Sequence, residues 1–345
     1  QGLLRFGFSN RELKHKGKPS TCADVLEKIS KSDKSKHAAL ARLILELRSS
    51  RMLANRYLIP LTTRASYNNG IVYCSINSAD TKTGRMTISS PSLQNIPRPD
   101  SGFEESNAVR ACFGPRIGYT WYFFDYSQIE VIMFCVIAGV VKFIKAYMKG
   151  ADLHAEMCKQ IYGRFTKILR QRTKAVTFGI LFGMGLKGLA EQQRVSLIKA
   201  DKIMTMYLCR IPEIAEFRDE CRDLVYRDGY VDCLFGKRYH AERQESYKMV
   251  NKRVQGGSAQ VLKEGTLQVL ALFKTVDFGA QLVLPIHDEL ILERRNDNPK
   301  SEYYFVRAVK EELEKIDQLM GLGLRLRVDV SKTSTNWAEK ETVKC

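Results

Sequence analysis

The chain has 345 residues, enough for two or three subdomains around a sizeable core, and its 44% hydrophobic content excludes wholesale disorder. Fifty-five Lys and Arg stand against 38 Asp and Glu, and the resulting net charge of +17 calls for a polyanionic partner, nucleic acid first and an acidic membrane surface second. No run reaches the ~18 apolar residues of a membrane-spanning helix, the longest being residues 131–141. The nine cysteines are odd in number and lack a C-x-x-C pair. They read as buried thiols in a reducing compartment, not as a disulfide or zinc framework. No signal-peptide pattern opens the chain, and a start at Gln1 leads us to expect a piece of something longer.

Residues 9–36 are rich in Lys, Arg and Ser and are expected to be a flexible basic segment. From Ala38 to Leu61, apolar residues recur at helical spacing (Leu40, Leu43, Leu47, Leu53, Leu58) among Arg42, Arg48, Arg51 and Arg56, predicting an amphipathic helix with a basic side. Residues 71–98 read as a strand and a turn-rich loop, and an acidic strand follows at about 119–125. Helical patterns dominate 128–228, broken by glycines and Pro212. A short hairpin (230–239) precedes a long helix, about 246–273. A second hairpin (281–293) carries His-Asp-Glu at its tip, and a helix (301–319) leads into a last strand, 324–330.

Two acids stand out because a carboxylate has no packing reason to sit in a strongly β-forming run: Asp125 and Asp288. A single strand-end Asp is more often a turn residue; the hairpin tip between two apolar runs raises Asp288 above that. Between them Arg170, Lys174 and Phe178 recur every fourth residue and share one helix face. Taken alone, that face would be a solvated basic surface with Phe178 and Phe182 in the core. Two carboxylates with a cationic helix face suit metal-assisted transfer from a triphosphate, with two divalent ions about 3.5–4 Å apart. Hard cations take oxygen ligands and usually one or two protein carboxylates, so Asp125 and Asp288, with the Tyr126 carbonyl as a third oxygen, are the candidate metal ligands.

These residues fall in motifs that resemble DNA polymerase family A, the bacterial DNA polymerase I type. Asp125-Tyr-Ser-Gln-Ile-Glu130 is similar to its first catalytic motif, Arg170-x-x-x-Lys174-x-x-x-Phe178-Gly-x-x-Phe182-Gly to its fingers helix, and His287-Asp288-Glu289 to its palm hairpin. Thr83-Gly-Arg85, Leu93-Gln-Asn95-Ile-Pro and Asn251-x-x-x-Gln255-Gly are similar to further segments that touch primer-template. The resemblance runs from about residue 38 to Trp337. It implies an α+β right-hand fold with an antiparallel-sheet palm, helical fingers and a truncated thumb. The implied division is 1–60 thumb remnant and basic segment, 61–135 palm, 136–254 fingers and 255–345 palm.

The resemblance also implies roles. Asp125 and Asp288 would ligate the metals, with Glu289 beside them. Arg170, Lys174 and His154 would hold the triphosphate, Lys174 also protonating the leaving pyrophosphate. Phe178 would pack on the nucleotide, Phe182 would guard the template position, and Gln128 and Glu130 would line the nucleotide site. Arg85, Asn95, Asn251 and Gln255 would meet the minor-groove side of the nascent pair, and His287 the primer-terminal phosphate. Departures from the family pattern are Ile132 and Tyr247, where Arg is common, Phe182 where Tyr is usual, and Thr177 where Asn often stands.

The expected cofactor is a pair of Mg²⁺ ions, with Mn²⁺ able to substitute. The expected partners are primer-template DNA and dNTPs, without a membrane. An exonuclease, a helicase or the missing thumb would lie on the same precursor or act in trans, and proofreading is not expected from this chain. The setting is intracellular. A single-subunit phage-type RNA polymerase and a catalytically inactive nucleic-acid-binding module are the alternatives. Glu130 as a block to a ribose 2′-hydroxyl argues against the first. The retained acids argue against the second, since binding a polyanion does not need carboxylates facing it.

Overall fold

The computed structural model describes residues 3, 8–9, 12–15, 18–32, 37–96, 106–181, 183–297, 299–316, 321 and 323–343. The chain divides into two compact units, residues 1–75 with 89–110, and residues 76–88 with 111–345.

In the first unit the segment expected to be flexible is folded wherever it is described. Val25, Leu26 and Ile29 lie on one side of the helix Ala23–Ser30 and are buried with Phe8, Leu13 and Ala41. That small core was hidden by the surrounding lysines and serines. Phe8 stacks on His37 at 4.3 Å, and Glu12 sits 3.1 Å from His37 while accepting the Ser9 backbone N–H. Residues 10–11, 16–17 and 33–36 of the same segment lie outside the described residues. The predicted helix at 38–61 is three pieces, Ala38–Leu53, a π-turn Ala54–Leu58 and Ile59–Tyr67. Pro60 explains the wide turn: it has no N–H to give and its ring crowds the preceding carbonyls. Ala41, Leu53, Tyr57 and Leu61 are buried, whereas Leu43 and Leu47, expected on the apolar face, are exposed.

The second unit is built on a five-stranded antiparallel sheet. Its spatial order is Glu341–Thr342, Val328–Thr333, Tyr119–Tyr126, Glu289–Arg295 and Ala280–Ile286. The central strand Tyr119–Tyr126 is nearly all aromatic or β-branched, the composition a pleated, doubly covered strand favours. Tyr122, Phe124 and Tyr126 alternate into the main core, each ring contributing roughly 2–3 kcal/mol by burial. The 27-residue helix Met249–Thr275 lies under this face. A side chain at Gly265 would meet the Tyr126 hydroxyl at 2.5 Å and Leu313 at 2.8 Å, so glycine sets the close approach. Tyr126 in turn donates its hydroxyl to the Leu313 carbonyl at 3.1 Å.

Seven helices from Ile129–Ile137 to Glu213–Asp228 follow the central strand. The hairpin Tyr230–Asp232/Arg238–His240 then leads through a 3₁₀ turn, Arg243–Lys248, into the long helix. The strand expected at 324–330 is Val328–Thr333, and a later short edge strand, Glu341–Thr342, was not foreseen. Among the described residues none of the eight cysteines is in a disulfide, and Cys135, Cys158, Cys221 and Cys233 are buried. Cys112 and Cys209, expected inside, are exposed. No helix of the described residues is long and apolar enough to cross a membrane.

Candidate active site

Asp125 is the exposed position of a strand otherwise mostly buried. Its antiparallel partners are Glu289 on one side and Asp329 on the other. Directly opposed residues share a face, so three carboxylates form a row across three strands. Ile286 pairs with Glu289, closing a two-residue tip of His287 and Asp288, and His287 takes the positive φ (54°) that so tight a turn demands. The Tyr126 N–H donates to the Asp288 carbonyl at 3.1 Å, which ties the two acidic segments together through the backbone.

Burial and crowding of like charge act together on Asp125. Although the residue as a whole is exposed, surrounding protein strips water from the Asp125 carboxylate, and Glu289 and Asp288 add negative field. Together they push its pKa up to about 7 against the pull of Lys340. Glu289 is held by Lys340 Nζ at 2.8 and 3.1 Å, and Asp329 accepts from the Ser127 hydroxyl. Glu130 pairs with Arg85, whose guanidinium also lies 3.8 Å from Asp288. Burial lifts the Glu130 carboxyl above the usual range, while Arg85 pulls it down and Asp288 pushes it up.

The cationic helix is Lys167–Leu181. Thr173, Val176, Thr177 and Ile180 are buried along it, while Lys174 is exposed. Arg170 binds the Asp152 carboxylate at 2.6 Å. Asp152 also caps the next-door helix Leu153–Tyr162, accepting the N–H groups of His154 and Ala155 at 2.9 and 3.2 Å. Burial would raise the Asp152 carboxyl, but Arg170 and those backbone donors hold it below the usual range. His154 is 2% exposed and its ring meets that of Phe178 at 5.5 Å. Burial first, then Lys174, lower its pKa to about 4. Gln128, at the left-handed N-cap of Ile129–Ile137, accepts the His154 backbone N–H on its side-chain Oε1 at 3.4 Å. His154 thus has Phe178, Gln128 and Lys174 as neighbours. Phe182 lies outside the described residues.

Arg85 follows Gly84 in a loop oriented by the Tyr239 hydroxyl, which donates to the Thr83 carbonyl at 2.8 Å. Asn251 and Gln255 stand one turn apart on the long helix, and the Asn251 side-chain oxygen is buried without a hydrogen-bond partner. Asn95 belongs to the first unit, on a 3₁₀ turn whose carbonyl accepts from the Tyr57 hydroxyl at 2.5 Å. The departures have physical correlates: Ile132 is fully buried in the main core, and Tyr247 packs its ring against Gly183. Sequence reasoning passed over Asp152, Asp329 and Lys340. The alternation of residues 324–330 marks Asp329 as a polar-face position, but nothing local singles out Lys340.

Among the described residues no group of three His, Cys, Asp or Glu forms a self-contained metal cage. A hard cation that keeps its waters does not need one. An all-oxygen donor set and a central carboxylate destabilised by its own neighbours fit such an ion, whose charge would offset the crowding.

The family model for DNA polymerase family A matches residues 4–339. DNA polymerase I of Geobacillus stearothermophilus is 30% identical over 327 residues, covering 90% of this chain and 36% of that protein. DNA polymerase I of Caldicellulosiruptor bescii is 29% identical over 335 residues, covering 93% and 38%. The chain thus spans little more than a third of these curated relatives. In fold it resembles the POL domain of Pol1 from M. smegmatis, solved in complex with DNA primer-template and dNTP. The TM-score is 0.78 at 24% identity, over 94% of this chain and 57% of that one. Matched over nearly its whole length by that family model, this chain belongs to DNA polymerase family A.

Proposed function

We propose that the chain is the polymerase core of a DNA-directed DNA polymerase, adding deoxynucleotides to a primer 3′-hydroxyl. The observation that carries this reading is the register of the sheet: Asp125 lies opposite Glu289 at the root of the hairpin bearing Asp288, inside a family match that covers residues 4–339. Asp125, Asp288 and the Tyr126 carbonyl would hold two Mg²⁺ ions. When bound, these supply a more acidic primer hydroxyl and neutralise charge on the phosphates.

The chain's own side chains do the rest. Arg170 and Lys174 bind phosphate oxygens, the Arg as a fork and the Lys as a point charge, and Lys174 gives a proton to the departing pyrophosphate. His154, kept neutral by burial, and Gln128 shape the pocket beside Phe178, which packs on the incoming base. Glu130 occupies the space a 2′-hydroxyl would need. Arg85, Asn251 and Gln255 meet minor-groove acceptors that are nearly the same for every base pair, permitting a check of geometry without sequence preference. Asn95 and His287 are assigned to the primer-template as well. Residues 61–135 and 255–345 form the palm of this reading, 136–254 the fingers and 1–60 the thumb remnant.

A primer-extension assay with dNTPs or rNTPs, with and without Mg²⁺, tests it. Mg²⁺-dependent extension with dNTPs is expected. Extension with rNTPs at equal efficiency would replace it with the RNA-polymerase reading, and binding without any extension with the inactive-module reading.

A further inference from the structure

The acids of the row are not equivalent. Asp329 is engaged by the Ser127 hydroxyl and Glu289 by Lys340, whereas no hydrogen bond reaches the Asp125 carboxylate among the described residues. Lys340 belongs to the C-terminal tail, which is fixed on both sides. Before it, the buried Trp337 donates its backbone N–H to the Phe113 carbonyl at 2.8 Å. After it, Glu341–Thr342 pairs with Lys332 and Ser331 at the sheet edge. Between these anchors the Lys340 side chain crosses the face of the sheet. Its ammonium lies 3.7 Å from the Phe123 ring centroid and contacts both Glu289 oxygens. Lys340 and Glu289 side chains are only 28% and 18% exposed. A flexible surface lysine would give up much side-chain entropy for such a posture. Here two backbone anchors and an aromatic face hold it.

We infer that Lys340 is a positioning residue of the acidic row. By taking both oxygens of Glu289 it keeps that carboxylate from joining Asp125 and Asp288 as a further cation ligand, and so sets how tightly the pair binds divalent metal. The inference rests on the metal reading of Asp125 and Asp288 given above. A third available carboxylate would tighten binding and hold the ions more rigidly, while a compensated one leaves the pair weak enough to exchange them.

The test is direct titration of the free protein with Mn²⁺, followed by electron paramagnetic resonance, with folding checked by circular dichroism. Lys340→Met should bind Mn²⁺ about fivefold or more tightly than wild type, the scale of one uncompensated charge in partly hydrated protein. Lys340→Met/Glu289→Gln, with both charges gone, should return to within about twofold of wild type, and Lys340→Arg should stay near it. Unchanged or weaker binding in Lys340→Met would overturn the inference, as would equal tightening in the double variant, since a purely structural lysine predicts either. Should Lys340→Met unfold, Lys340→Gln carries the same comparison. Wild-type Mn²⁺ binding that Asp125→Asn does not weaken would instead remove the metal reading itself, and this inference with it.

Discussion

The acidic and cationic halves of the site are held in different ways. Asp125, Glu289 and Asp329 are aligned by backbone register across three paired strands, above a core of fully buried Phe124 and nearly buried Tyr122 and Tyr126. Moving one of them relative to another means breaking ladder hydrogen bonds. Arg170 and Lys174 project from a helix on long side chains, and Arg170 is already engaged by Asp152. A sheet fixes like charges that would otherwise separate. A helix presents cations on long, flexible side chains, one of which already has an anionic partner. Repulsion in the first half is stored by rigidity, whereas attraction in the second is adjustable.

The comparison breaks most visibly at the sheet. Asp125→Ala or Asp288→Ala should lower primer extension by about 10³-fold or more, several kcal/mol of transition-state stabilisation, with primer-template affinity kept within a few-fold. Removing an acid beside DNA does not weaken charge attraction. Extension near wild type in either variant, read in single-turnover gels, would sink the assignment.

Next in size is the gate between the halves. Glu130, paired with Arg85, should exclude ribonucleotides by clash and by an unpaired buried polar group. Glu130→Ala should cut deoxy-over-ribo discrimination by roughly 10³-fold while costing deoxynucleotides far less. The ratio of kcat/KM values decides, and an unchanged ratio removes Glu130 from the sugar pocket.

The helix should respond more mildly and in two ways. Lys174→Ala is expected to slow the chemical step about 10²-fold, the usual worth of a positioned proton donor. Arg170→Ala should mainly raise the dNTP KM, because its fork binds phosphate before reaction as well as during it. If both variants keep wild-type rates and affinities, the helix is a solvated basic face and the contrast between the halves disappears.

A last effect, on stability and not on turnover, is expected from the pocket beside the helix. His154 titrates at about 4 when folded and near 6.5 when unfolded, so between these values the unfolded chain binds the extra proton. Stability is therefore intact above about pH 6.5 and declines as pH falls toward 4, by on the order of 3 kcal/mol at most. His154→Gln should flatten the fall of Tm with pH across that window. An unchanged slope would mean that His154 is not the group responsible.

Much of this was legible along the chain because its cause is local. The aromatic run before Asp125 forms a strand by intrinsic fit, and the tip at 287–288 is a turn between two apolar strands. The four-residue spacing of Arg170, Lys174 and Phe178 is a helix face in any context. Net charge points to a polyanionic partner, and the motif order pointed to the family.

What only the tertiary structure decided is which groups meet. Asp329 is 204 positions from Asp125, and Lys340 is 51 from Glu289, yet register and a C-terminal crossing set them side by side. Tertiary burial likewise folded the lysine-rich stretch around Val25, Leu26 and Ile29, because three apolar side chains with a partner outweigh the solubility of their neighbours. Composition and periodicity specify what one segment can do in water. The pairing of acids with a distant lysine depends on strand order and chain reversal, which no local window contains.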